Sequence, residues 1–213
     1  MHFLSESLES YIDNHSQGEP ELLWELSRET HLKVVQPRMI TGHYQGRVLS
    51  LLSKLICPQY VLEIGTYTGY SALCLAEGLG TNGYLHTIDI NEELHEMQRK
   101  YFDKSAYAER IIQHTGNALD IIPKMDLIFD LVFIDAEKTE YPKYLNLVLD
   151  KIKVGSVILS DNVLWSGKVL DKAPKNDRAT IVLKEYNQLL KDHPQLETVI
   201  LPVRDGLSLS RVL

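Results

Sequence analysis

Apolar positions along the chain change their period near residue 58. Before it they recur at helical spacing, as Leu4, Leu8 and Ile12, then Leu22, Leu23 and Leu26, then Val48, Leu49, Leu52, Leu55 and Ile56. Pro20 stands near the start of the second run, and the stretch from Gln36 to Gly42 breaks the pattern with a proline and a glycine. Beyond Pro58, short apolar runs alternate with amphipathic stretches. Runs at 60–64, 84–88, 110–114, 131–134 and 156–159 predict strands, and helices are expected to start near Ser71, Glu92, Ala118, Thr139 and Asp177. Continuous apolar strands between amphipathic helices predict an α/β fold with a parallel sheet covered on both faces. The ending differs. Strand-like runs at 198–203 and 207–212 flank Arg204-Asp205-Gly206, so a final hairpin would append an antiparallel strand. No repeat, low-complexity tract or linker appears, and one domain over 1–213 is expected, with a helical cap at 1–57 and a core at 58–213.

Composition narrows the function classes. The apolar fraction of 44% and charged fraction of 24% are those of a soluble globular chain. Net charge is −7 and no lysine/arginine run exceeds two, which does not favour a nucleic-acid partner. Cys57 and Cys74 make neither a disulfide framework nor a metal-ligand spacing, and both are expected as buried thiols. No apolar run approaches the ~18 residues of a membrane span, and no leader pattern opens the chain, so a cytoplasmic, non-membrane protein is expected.

Ligands of such sheets bind at the carboxyl ends of the strands, near the point where strand order reverses. The first run ends in Glu63 and Gly65, with Gly69 just before a helix-forming segment. Gly65 would allow a sharp turn and Gly69 a close backbone approach to a ligand. The spacing is not that of the dinucleotide fingerprint, and an acid at Glu63 suits a cationic ligand better than a phosphate. The second run delivers Asp89, 24 residues after Gly65, either to ribose hydroxyls or, with Asn91, to a helix cap. The third leads to Gly116, the fourth to Asp135 with Lys138 beyond it, and the fifth to Asp161 and Asn162. Asp135, Asp161 and Asn162 form an all-oxygen set that suits a hard cation such as Mg²⁺ rather than zinc, though a turn or cap is the plainer alternative. Lys138 is either a base at the same mouth or a solvated lysine, and Trp165 either faces a planar substrate or simply packs.

Five stretches then occur in order: Leu62-Glu63-Ile64-Gly65-Thr66-Tyr67-Thr68-Gly69-Tyr70-Ser71, Gly116-Asn117-Ala118-Leu119-Asp120-Ile121-Ile122-Pro123, Phe133-Ile134-Asp135-Ala136-Glu137-Lys138, Asp161-Asn162-Val163-Leu164-Trp165-Ser166-Gly167 and Leu201-Pro202-Val203-Arg204-Asp205-Gly206-Leu207. In content and spacing they resemble the class I S-adenosylmethionine-dependent methyltransferases, specifically the cation-dependent O-methyltransferases of the caffeoyl-CoA and catechol type. The resemblance covers the chain from about Pro37 to Leu213. It implies a Rossmann-like, doubly wound, seven-stranded sheet, mostly parallel with a C-terminal antiparallel strand.

The resemblance also implies the site. S-adenosylmethionine would meet Glu63, Gly65, Tyr67 and Ser71 with its methionine half, Asp89 with its ribose and Ala118 with its adenine. Thr41, after Met39, matches a segment that closes over cofactor and substrate. Asp135, Asp161 and Asn162 match the ligands of a divalent cation, with Mg²⁺ expected and Asp135 shared with the cofactor, and Lys138 matches the base. Met39, Trp165 and Arg204 are the substrate-side candidates. Two positions depart from the pattern: Glu137 stands where the animal catechol enzyme has a tryptophan, and Arg204 replaces the glycine typical of plant members. The implied activity is O-methylation of a vicinal diphenol by a homodimer. Methylation of a hydroxylated tRNA uridine and a non-catalytic cofactor-binding protein are the alternatives.

Overall fold

The structure is a computed structural model that describes residues 5–174 and 176–213; Leu4 of the first helical run lies outside the described residues. The N-terminal run forms three helices, α1 (Glu6–Asn14), α2 (Glu21–Lys33) and α3 (His43–Ile56). A short 3₁₀ turn, Pro37–Met39, separates the last two. The remaining elements are β1 (Tyr60–Ile64), α4 (Tyr70–Ala76), β2 (Tyr84–Asp89), α5 (His95–Lys104), β3 (Ile111–Thr115) and α6 (Ala118–Ile121). They continue with β4 (Phe129–Ile134), α7 (Tyr141–Leu149), β5 (Ile152–Asp161), α8 (Arg178–Asp192), β6 (Leu196–Leu201) and β7 (Leu207–Val212).

The seven strands form one sheet in the order β3-β2-β1-β4-β5-β7-β6. Strands β1 to β5 pair in parallel, and β7 runs antiparallel between β5 and β6. Chain order reverses between β1 and β4, so the crevice for a ligand opens beyond their carboxyl ends. Successive side chains of a strand point to opposite faces, and the central strands are apolar on both. Val61, Leu85, Leu131, Phe133 and Leu159 pack under α2 to α5, while Leu62, Ile64, Ile88, Val132, Ile134 and Ile158 pack under α7 and α8. Full burial on both faces is what a continuous apolar run requires of a parallel strand.

Several bounds differ from the sequence expectation for local reasons. β5 begins four residues early, because Ile152 pairs with Phe129 before an irregularity that leads to Leu131 opposite Val157. Lys153, Val154 and Gly155 are exposed in that extension, which hides its strand character from an apolar count. β6 stops at Leu201, since Pro202 brings no N–H to the ladder. The helix expected at Glu92 opens as a 3₁₀ turn, Glu92–Leu94, before α5, and α7 is likewise preceded by a turn at Lys138–Glu140. The cysteine expectation is corrected at one position. Cys74 is buried in α4, but Cys57 is exposed, because as the left-handed C-cap of α3 (φ 52°) it leaves the apolar face of that helix. Among the described residues no helix is long and apolar enough to cross a membrane.

Candidate active site

A cavity of about 1720 Å³ opens at the carboxyl ends of β1, β2, β4 and β5. Gly65, Tyr67, Asp89, Ala118, Asp135, Lys138, Asp161 and Asn162 all stand on its wall. Met39, Trp165 and Arg204 line it as well, from three different loops. Thr41 lies instead in a smaller adjoining recess with Arg204, and Glu63 and Ser71 are buried behind the wall. Backbone strain gathers here: among the described residues six non-glycine residues have left-handed φ, and Tyr67, Asn162, Trp165, Ser166 and Arg204 of that set line the cavity. Such strain persists only where surrounding structure enforces it, and it is characteristic of binding sites.

The floor is set by the end of β1. Gly65 donates its N–H to the Ile88 carbonyl at 2.9 Å, and Asp135 donates its own to the Ile64 carbonyl at 2.8 Å. A Cβ at Gly65 (φ 102°) would lie 1.9 Å from the Asp135 carbonyl oxygen, so only glycine lets the ends of β1 and β4 meet. Gly69 is required by its own surroundings. Its φ is 94° and its Cβ would lie 2.6 Å from the ring of Phe102, so backbone conformation and packing both require the glycine.

Asp89 at the end of β2 has both carboxylate oxygens on backbone amides, Oδ2 accepting from Tyr67 at 2.6 Å and Oδ1 from Asn91 at 2.8 Å. The capping alternative belongs to its neighbour, since Asn91 Oδ1 accepts from Glu93 at 3.0 Å. Asp89 therefore fixes the β1–α4 turn while keeping lone pairs toward the cavity. Ala118 begins α6, which Asn117 caps through its bond from the Leu119 amide. Its small side chain lines the cavity there.

Glu63 faces the apolar side of the sheet that α3 and α4 cover. Its Oε2 accepts from the Thr87 hydroxyl at 2.5 Å, and Thr87 in turn meets Thr66. Its Oε1 has no partner in ordinary hydrogen-bond geometry, although the Ser71 hydroxyl is near enough to favour the charge. Burial dominates and pushes the carboxyl up to about 8, against the bonds from Ser71 and Thr87 and with the repulsion of Asp135 and Asp89.

At the ends of β4 and β5 two carboxylates, Asp135 and Asp161, line the same cavity wall. Asp161 is buried, and burial followed by the charge of Asp135 raises its carboxyl to about 6; Lys138, Gln45 and the Asn162 amide act in the opposite direction. Asn162 follows in the left-handed region (φ 59°), which asparagine tolerates better than most residues. Lys138 is buried and donates to Asp135 Oδ1 at 2.9 Å and to the Tyr141 hydroxyl at 2.7 Å. That hydroxyl also lies 3.0 Å from the Asp161 carbonyl and 3.2 Å from that of Ile134, one of which receives its proton.

Two like charges at a buried mouth are unfavourable alone, and a cation between them relieves both. Among the described residues no three of histidine, cysteine, aspartate and glutamate gather as a metal site; the candidate donor set on this wall is two carboxylates and the Asn162 amide. Hard oxygen donors of that kind fit Mg²⁺ or a similar dication.

Two contributors escaped the sequence reading. Tyr141, three residues after Lys138 in the next helical turn, orients the lysine; its signal was only that spacing. Gln45 is wholly buried on α3 and near enough to Asp161 to favour its charge, although its amide has no partner in ordinary hydrogen-bond geometry, and nothing in an amphipathic helix pattern marks it out. Glu137, the departure from the resembled pattern, caps the turn that carries Lys138, accepting from the Thr139 amide at 3.2 Å.

Comparison with known proteins agrees with this geometry. Residues 13–213 match the family model described as O-methyltransferase. The caffeoyl-CoA O-methyltransferase of Petroselinum crispum is 35% identical over 220 residues, spanning 97% of this chain and 91% of the relative. Among solved structures, the O-methyltransferase TomG from Streptomyces achromogenes, in complex with SAM, superposes with a TM-score of 0.89 at 29% identity, covering 97% of this chain and 96% of its own. An O-methyltransferase from Bacillus cereus, in complex with SAH, gives 0.89 at 27% identity with 97% of both chains covered. With its seven-stranded sheet, its strand-end carboxylates and these matches across nearly its whole length, the chain belongs to the O-methyltransferase family.

Proposed function

We propose that this protein transfers the methyl group of S-adenosylmethionine to one hydroxyl of a vicinal diphenol held at a divalent cation, Mg²⁺ by preference. One observation carries the reading: Asp135, Asp161 and Asn162 converge with Lys138 on the wall of the same cavity that Gly65, Asp89 and Ala118 line. Asp89, Tyr67, Gly65 and Ala118 would hold the cofactor, with Glu63 and Ser71 behind them. Asp135, Asp161 and Asn162 would hold the cation.

The sulfonium of the cofactor supplies an activated methyl group, and the cation stabilises a phenolate near neutral pH. The chain's own residues do the rest. Lys138 reaches the mouth of the cavity with its nitrogen fixed by Asp135 and Tyr141, so in its neutral form it would offer a phenol proton a defined acceptor. Buried Asp161 can turn little, since the amide of Asn162 holds its Oδ1 at 2.8 Å. Such fixed placement converts an encounter into an aligned in-line displacement. Trp165 and Met39 border the space left for an aromatic ring.

Charge supports a small acceptor over a polyanion. The wall carries Asp89, Asp135, Glu137, Glu140, Asp161 and Asp205 against Arg38, Lys138 and Arg204. A tRNA backbone would be repelled by that balance. The reading extends to a homodimer, for which Trp24 of α2 and Leu51 and Leu55 of α3 are exposed apolar surface. The direct test is a methyl-transfer screen of catechols, caffeoyl esters and tRNA, each with and without EDTA. Turnover of a catechol that is lost on chelation and restored by Mg²⁺ is expected; full turnover in excess EDTA after dialysis would overturn the cation, and turnover of tRNA alone would overturn the acceptor.

A further inference from the structure

Arg204 lies in the β6–β7 loop with φ 48°, a conformation that glycine adopts freely and arginine does not. It keeps this strained backbone while its side chain reaches a distant part of the chain. Its Nη1 donates to the Ile40 carbonyl at 3.0 Å and to the Thr41 carbonyl. Ile40 and Thr41 are buried while Arg204 is exposed, so the guanidinium ties a surface loop to backbone acceptors at the edge of the core. The far end of the same stretch is tied separately, where the Tyr67 hydroxyl donates to the Gln36 carbonyl at 2.8 Å. Between these ties, Gln36, Arg38 and Met39 roof the cavity.

The other side of the β6–β7 loop grips the opposite wall. Leu164 donates its N–H to the Asp205 carbonyl at 2.9 Å and Val163 to the Gly206 carbonyl at 3.1 Å, and the Ser166 amide meets the Asp205 carboxylate. One loop therefore touches both the roof, through Arg204, and the segment that carries Asn162 and Trp165.

We infer that Arg204 is a positioning residue that clasps the roof segment 36–41 to the wall segment 162–166, setting where Met39 stands over the cavity, and Thr41 in the recess beside it, before any ligand arrives. The inference rests on the reading of that cavity as the methyl-transfer site, and it gives Arg204 a role through the backbone rather than through the acceptor. It also accounts for an arginine where a glycine would suit the loop.

Arg204→Gly is the informative variant, because glycine welcomes the left-handed backbone while removing the guanidinium. Hydrogen–deuterium exchange of the ligand-free protein reads the clasp without needing turnover. The amides of Met39 and Ile40, bonded to the Gln36 and Pro37 carbonyls, are the reporters. They should exchange roughly tenfold faster in Arg204→Gly while β1 and β4 keep their protection, as for local rather than global opening. Arg204→Lys, which retains a donor, should recover much of that protection. In methyl transfer, KM for the acceptor should rise by about fivefold or more with kcat changed less, the pattern of lost positioning in the bound state. Unchanged exchange at Met39 and Ile40, equal loss across the whole sheet, or a lysine variant no better than glycine would each overturn the clasp. Faster local exchange in a protein that methylates no tested acceptor would uphold the clasp and overturn the proposed function instead.

Discussion

Glu63→Gln tests whether burial governs the acid at the end of β1. The carboxyl is fully buried and raised from 4.5 to about 8. The folded state thus keeps its proton up to a pH near 8, whereas the unfolded chain releases it near 4.5. Between those values the unfolded state binds fewer protons, so stability falls as pH rises through the window; the contribution is fully present below about 4.5 and lost above about 8. At about 1.4 kcal/mol per tenfold change in proton affinity, the rise corresponds to a ceiling of about 5 kcal/mol. Glutamine has the shape of the protonated acid and no such titration. Asp161, raised to about 6 in the same window, is present in both proteins and cancels in the comparison. Urea unfolding of the ligand-free protein at pH 5, 6, 7 and 8 should therefore show the wild type losing stability relative to Glu63→Gln by a few kcal/mol across the series. Parallel profiles, or a wild type that gains on the variant as pH rises, would refute the reasoning, because Glu63 would then be charged in the folded protein.

Three further outcomes follow from the same geometry. Asp89→Ala removes the acceptor for the Tyr67 and Asn91 amides and for the proposed ribose contact, and should weaken S-adenosylmethionine binding by roughly 1.5–3 kcal/mol in calorimetry while the protein stays folded. Gly65→Ala would set a Cβ 1.9 Å from the Asp135 carbonyl, so its loss of stability should reach or exceed the roughly 1–3 kcal/mol of ordinary overpacking, read as a lower urea midpoint. Caffeic acid should be methylated at least about tenfold faster than p-coumaric acid at saturating cofactor and Mg²⁺, because a monophenol is held less well aligned, and equal kcat/KM values would withdraw the catechol reading.

The order of elements was legible because the central strands are apolar on both faces and their ends are polar. β1 and β7 are found to the residue, each bounded by a sharp change of character at Gly65 or Gly206. β5 was underestimated because its first half pairs while exposing Lys153 and Val154, so hydrogen bonding rather than burial defines it. Strand-end acids were visible as a set, but the groups around them were not. Tyr141 reaches Lys138 and two carbonyls from the following helix, and Gln45 lies near Asp161 on α3. The link from Arg204 to Ile40 and Thr41 spans more than 160 positions, and no local pattern encodes such a meeting.

The contact between Gly65 and the Asp135 carbonyl has a mechanical consequence. It leaves less room than one methyl group between the strand that would bear the donor and the strand that would bear the acceptor's cation. The proposed donor and acceptor sites would then share a rigid chassis, whose spacing cannot be tuned by sliding one strand along another. On the proposed reading, acceptors of different width would be accommodated at the rim, by exchanging side chains such as Met39 and Trp165 on loops outside that junction. New specificities would accumulate in those loops while the junction itself stays fixed, and an engineered change of acceptor should begin there.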